Sequence, residues 1–140
     1  MSMLFFVLFA ASPAALPADL RTPCSAAETA QVSVAEIIDA GETWFGRCVQ
    51  VSGVTAGRLL KPAAGSLLQI GLDNSEALNV GLPANEDVRV TLIGRVDSCD
   101  RRQREVQAEM ARTRDIILLS GACHYVRGPI LVASEGRSGD

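Results

Sequence analysis

The run Val88-Arg89-Val90-Thr91-Leu92-Ile93-Gly94-Arg95-Val96-Asp97-Ser98-Cys99 decides the fold. Val88, Val90 and Leu92 alternate with Arg89, Thr91 and Ile93, the period of two produced by a strand with one covered face. Gly94 marks a bend in it. Beyond Cys99 the period disappears, and Asp100 to Arg112 (DRRQREVQAEMAR) reads as a helix. Asp100 is its candidate N-cap, Val106 and Met110 sit four apart, and Ala108 and Ala111 favour helix. Its charges nearly cancel, with Arg101 and Glu105 an attractive i, i+4 pair and Glu105 and Glu109 a repulsive one. A second apolar run, Ile116-Ile117-Leu118-Leu119, continued by Gly121-Ala122-Cys123-His124-Tyr125, predicts a buried strand. Cys99 and Cys123 stand at the two ends of the helical excursion.

Upstream, Ser33-Val34-Ala35-Glu36 has the form of a capping box, in which hydroxyl and carboxylate each take one free amide at a helix start. Val34, Ile37 and Ile38 form its apolar face, and Gly41 is placed to end it. Trp44-Phe45 makes a helix-to-strand corner. Arg47 to about Arg58 predicts a long strand, with Val49 and Val51 facing one way and Gly53 shifting the phase, as at a bulge or bend. Lys61-Pro62-Ala63-Ala64-Gly65 predicts a turn, and Leu68, Ile70 and Leu72 one face of a second strand. Leu78, Val80 and Leu82 form another short alternating run. Downstream, Gly128-Pro129 breaks the chain before a last short strand, Ile130-Leu131-Val132.

The 140 residues suffice for one domain with a leader. A 48% hydrophobic content and a net charge of −3 exclude a disordered chain and provide no field to gather nucleic acid or anionic lipid. Residues 1–18 lack charged side chains and hold the apolar run Leu4 to Ala11, then small residues and prolines. That run is too short to span a bilayer and suits a secretory leader, with Ala14 or Ala18 as the cleavage point. Its n-region departs from the pattern, the terminal amine being its only positive charge. A lipoprotein reading fails at Cys24, which follows Arg21-Thr22-Pro23. The mature chain is therefore expected in the periplasm or outside the cell.

In an oxidising compartment the four cysteines imply disulfides. Four cysteines allow three pairings. Cys24 with Cys48 and Cys99 with Cys123, each pair 24 positions apart, is the favoured one. Each closure is worth roughly 3–4 kcal/mol in the chain-entropy account.

The order of elements resembles an OB-fold, a five-stranded Greek-key barrel. The wording is similar to small exported bacterial proteins with an OB-fold of the tRNA-anti-like type. The likeness is carried by Ser33-Val34-Ala35-Glu36-Ile37-Ile38, Gly46-Arg47-Cys48-Val49-Gln50-Val51-Ser52-Gly53 and Val90-Thr91-Leu92-Ile93-Gly94-Arg95-Val96. It covers Ser33 to Ala133 and implies a mainly β chain with a helix between its third and fourth strands and an N-terminal helix. An SH3-like barrel is the alternative. The expected plan is a leader over 1–18, an arm over 19–32, a barrel over 33–134 and a polar tail over 135–140.

No residue set demands a reaction. G-x-S-x-G, a phosphate loop with Lys and Ser or Thr, and H-E-x-x-H are all missing. Asp73, Asp97 and Asp115 sit at element ends, where capping accounts for them. Cys99, Cys123 and His124 do not make a zinc set, because adjacent strand residues face opposite ways, so neither metal nor cofactor is expected. His124 reads as a partly buried polar residue. Single-strand nucleic-acid binding needs stacked aromatics in a basic groove, and past the leader only Trp44, Phe45 and Tyr125 are aromatic. The expectation is a non-catalytic module that binds an envelope protein or glycan. The OB resemblance implies a ligand face on strands two and three, making Arg58, Gln69, Arg89 and Thr91 candidates. The alternatives are a structural or assembly protein using the helix at 100–112 as its partner surface, and an enzyme with an unrecognised site.

Overall fold

The pairing of two long strands sets up the barrel. In the computed structural model, which describes residues 23–73, 87–119 and 121–139, β2 (Cys48–Ala56) lies antiparallel to β5 (Val88–Ser98) in unbroken register from Cys48 opposite Arg95 to Thr55 opposite Val88. The alternation read from the sequence puts Val49 and Val51 of β2 and Val90, Leu92 and Val96 of β5 on one face, all fully buried. Burying each such side chain is worth roughly 1.5–3 kcal/mol. The leader and the run Leu78, Val80 and Leu82 lie outside the described residues.

Around that pair run β1 (Ala30–Val32), α1 (Val34–Asp39), α2 (Gly41–Trp44), β3 (Leu59–Lys61), β4 (Ile70–Asp73), α3 (Cys99–Thr113) and β6 (Pro129–Ser138). The ring closes in the order β2-β3-β4-β6-β5 and back to β2, with β4 and β6 parallel and the other pairs antiparallel. This closed, mixed, five-stranded barrel in a mainly β chain is the OB-like form expected. Its core joins the valines above to Leu60, Ile70, Leu72 and Leu131, and α1 closes it with Val34 and Ile37. The capping box is present: Glu36 N–H donates to Ser33 Oγ at 3.0 Å and Ser33 N–H to Glu36 Oε2 at 2.7 Å. The helix stops at Ala40, one residue before the expected Gly41, which instead opens α2.

Several expectations are corrected. Residues 59–61 form a separate strand after a turn at Gly57-Arg58, so the 62–65 turn follows β3. Leu68 falls outside β4 and is half exposed. Residues 30–32 of the arm pair in parallel with β2. Residues 135–138 of the expected tail belong to β6, because β5 is long enough to hold them in register to Ser138.

Gly94 does mark an irregularity. An added Cβ would sit 2.4 Å from the Val132 carbonyl oxygen, and the register with β6 shifts there, from Gly94 opposite Ala133 to Ile93 opposite Glu135. Ser134 is the extra residue of this bulge. Its hydroxyl is thereby free to accept the Cys24 N–H at 3.0 Å, which ties the arm to the barrel beside the Cys24–Cys48 disulfide.

The larger correction concerns the helix. It lies between β5 and β6, the last two strands of the ring, and not between the third and fourth. Ile116 to Leu119 and Gly121 to Tyr125 do not form the expected buried strand: Ile116 is 88% and Leu118 79% exposed, and Gly121–His124 is a 3-10 turn. Apolar composition suggested burial, but both edges of the neighbouring strands are already taken by ring closure.

Candidate functional site

α3 leaves β5 without a linker. Ser98 ends the strand and caps the helix, its Oγ accepting the amides of Asp100 at 3.2 Å and Arg101 at 3.4 Å. The cap is therefore Ser98, two residues before the expected Asp100, which lies in the first turn. That start places Arg101 and Arg102 over the barrel end where Asp73 closes β4 and Asp97 approaches the end of β5.

Both carboxylates are buried, Asp97 to 3% and Asp73 to 8% exposure. Arg101 donates from Nε to Asp97 Oδ1 at 2.6 Å and from Nη2 to Oδ2 at 2.8 Å. Arg102 reaches both acids, from Nε to Asp97 Oδ2 at 3.0 Å and from Nη1 to Asp73 Oδ2. The Ser98 amide adds a bond to Asp97 Oδ1 at 2.7 Å, and the Ala122 amide one to Asp73 Oδ1 at 2.6 Å. Gly121, at φ 70°, delivers that amide, and a Cβ there would stand 2.5 Å from Asp73 Oδ1.

Burial alone would raise the Asp97 pKa. The bonds from Arg101, the Ser98 amide and Arg102 outweigh it and hold the carboxyl below the usual carboxylate range. Arg101 is raised in turn, first by its bond to Asp97. An acid held this firmly in its charged form has no proton to donate near neutral pH and no free lone pair aimed at a substrate. The network fixes how the helix leaves the barrel. Such a buried pair adds little net stability over apolar packing, because desolvation offsets its attraction, but removing one partner leaves the other charge uncompensated.

A second anchor stands beside it, the Cys99–Cys123 disulfide with Cα atoms 5.3 Å apart. Both favoured pairings are present. Cys99 and Cys123 pack with Ala122 and Ile130 in a small core of their own, and Gly71 of β4 lies directly against Ile130, Val126 and Ala122. The 3-10 turn therefore covers part of β4.

Past these anchors the excursion stands away from the barrel. Among the fifteen residues of α3 only Cys99 is buried. The helix ends at Arg114, in the left-handed region at φ 61°, whose amide meets the Met110 carbonyl at 2.7 Å. The chain must then return along a helix of about 22 Å. Residues 116–119 alternate between exposed and part-buried, and none of their backbone groups bonds within the segment, as in an extended chain. Among the described residues the amides and carbonyls of Ile116 to Leu119 have no backbone partner. Between this segment and α3 lies a groove of about 230 Å³ lined by Gln103, Val106, Met110, Ile117, Leu119 and His124. Leu118 forms part of its wall, and Tyr125, 74% exposed, packs edge-on to His124 with centroids 4.8 Å apart. His124 is exposed, not partly buried as expected.

The sequence-derived ligand candidates fall on three parts of the chain, the β2–β3 turn, the approach to β4 and the strand β5. Arg58 is exposed in the β2–β3 turn and Gln69 is exposed just before β4. Arg89 and Thr91 are on the outer side of β5, and Thr91 Oγ1 shares a 3.0 Å hydrogen bond with Ser52 Oγ. β3 has three residues, and the four of β4 are all buried, so strands two and three of the ring present little open face. Among the described residues no group of three His, Cys, Asp or Glu side chains could hold a metal ion, and no helix is long and apolar enough to cross a membrane.

The ion-pair network escaped sequence reasoning. Asp97 and Arg101 are four apart, but that spacing carries meaning only once the helix starts at Ser98. Asp73 and Arg102, 29 positions apart, leave no local signal.

Fold and site together define a closed, disulfide-bonded barrel that carries an ion-paired, helix-based excursion with an apolar edge. No protein family, curated protein or solved structure matches this chain.

Proposed function

We propose that this chain is a non-catalytic binding module of the cell envelope, periplasmic or secreted, that engages a protein through the apolar edge of its excursion. One observation carries the reading: Ile116 and Leu118 stand 88% and 79% exposed on a segment clamped at its base by a disulfide and four charged side chains. Isolated exposed apolar residues are ordinary, but a run of them beside a groove, on an anchored support, suits a partner surface. Aliphatic side chains fit a protein better than a glycan, whose sugars stack on aromatic faces. The reading thus takes the assembly alternative and extends its surface from α3 to the returning segment.

Placement in the envelope is supported by the apolar leader and the two disulfides. The non-catalytic reading is supported by Asp73 and Asp97, both occupied by guanidinium and amide donors. Kinship with small exported bacterial OB-fold proteins belongs to the same proposal, and the closed mixed ring supports it.

The test is photo-cross-linking from position 118 of the oxidised protein in its native envelope. The reading requires a protein adduct that Ile116→Glu abolishes. Capture that survives this change but disappears on alanine substitution of Arg58, Gln69 and Arg89 would move the site to the barrel wall.

A further inference from the structure

We infer that the partner of this edge is a second copy of the same chain, joined by antiparallel pairing of the segments from Asp115 to Leu119. The inference rests on the proposed use of the excursion as a binding surface and names its occupant. Three observations support it.

The first is the backbone. A nearly extended segment whose amides and carbonyls lack backbone partners is a template for another strand. An antiparallel pair about a two-fold axis is self-complementary, because each copy offers the other the same donors and acceptors. Centred on Ile117, the pairing sets Ile116 of each copy against Leu118 of the other, apolar against apolar.

The second is charge. Asp97 and Asp73 take up Arg101 and Arg102. What remains over residues 99–127 is Arg104, Arg112, Arg114 and Arg127 against Asp100, Glu105, Glu109 and Asp115. Four of each sign leave the excursion neutral, so two copies meet without the repulsion that a one-signed surface would impose. A one-signed surface would instead have pointed to a partner of opposite charge.

The third is area. Ile116, Leu118 and Tyr125 are 88%, 79% and 74% exposed. At about 200 Å² for a large side chain they offer roughly 500 Å². A standard interface takes about 800 Å² from each partner, and the partly buried Val106 and Met110 of the adjoining groove add to that offered area.

The test is sedimentation of the oxidised mature protein over roughly a thousandfold range of concentration, with amide hydrogen exchange at its two ends. Self-pairing predicts a monomer–dimer equilibrium, with the Ile116 to Leu119 amides gaining protection only at the high end. Leu118→Arg and Ile116→Glu, both at exposed positions, should raise the dimer dissociation constant at least tenfold with an unchanged far-ultraviolet spectrum. A dimer without protection at these amides, or one indifferent to both changes, overturns the inference. So does a monomer at every concentration. If that monomer still gives an Ile116-dependent adduct from position 118, the partner is another protein and the proposed surface stands. If it gives none, both readings fall.

Discussion

Arg101 holds Asp97 with both arms of its guanidinium, Nε on Oδ1 at 2.6 Å and Nη2 on Oδ2 at 2.8 Å, across the junction where strand becomes helix. Backbone continuity alone would let α3 swing about Ser98. The paired bonds, with Arg102 reaching on to Asp73, give the helix one direction relative to the barrel.

Asp97→Asn should therefore cost about 3 kcal/mol, at the low end for a broken buried pair because Arg101 and Arg102 keep 14% and 26% side-chain exposure. Urea unfolding of the oxidised protein measures it. Glu105→Gln is the contrast: it removes the other partner of Arg101, but at 65% exposure that carboxylate should be worth under about 1 kcal/mol.

The same acid sets a pH dependence. The folded-state pKa of Asp97 lies below the unfolded value of about 3.9, so its contribution is complete above that value and lost as pH falls through the folded one. The stability gap between the wild type and Asp97→Asn should be constant near neutrality and narrow in acid below about pH 4. A gap that held constant into strong acid, in parallel denaturation series, would show that the charge of Asp97 contributes nothing.

Joint replacement of Cys99 and Cys123 by Ser should lower stability by about 3 kcal/mol, from a loop of this length. It should also loosen the excursion's base, so that limited proteolysis cuts first between Arg114 and Leu119. The corresponding double replacement at Cys24 and Cys48 should spare that segment and expose the arm instead, since that disulfide and the Ser134 hydroxyl hold it to the barrel.

Gly121→Ala should be more damaging than its size suggests. It combines a left-handed backbone at φ 70° with a Cβ 2.5 Å from Asp73 Oδ1, and it withdraws the Ala122 amide from that carboxylate. A loss of about 2–3 kcal/mol is expected, against about 1 kcal/mol for Gly65→Ala, whose φ of 77° faces open space. Thermal denaturation of the two variants compares them directly.

Local pattern determined much of this protein. Alternation located the inward faces of β2 and β5, the capping box located α1, and cysteine spacing matched both disulfides. These signals are short-range: period, caps and loop length are written within one element or between its two ends. The run Ile116 to Leu119 departs from its sequence pattern for the same reason, because composition reports that residues are apolar and not whether a neighbour remains to cover them. Only ring closure decided that. β6 closes the barrel on β4 and β5, leaves the four apolar residues outside the sheet, and brings Asp73 under Arg102 from 29 positions away. Such a contact depends on where distant strands meet, and no local period encodes that.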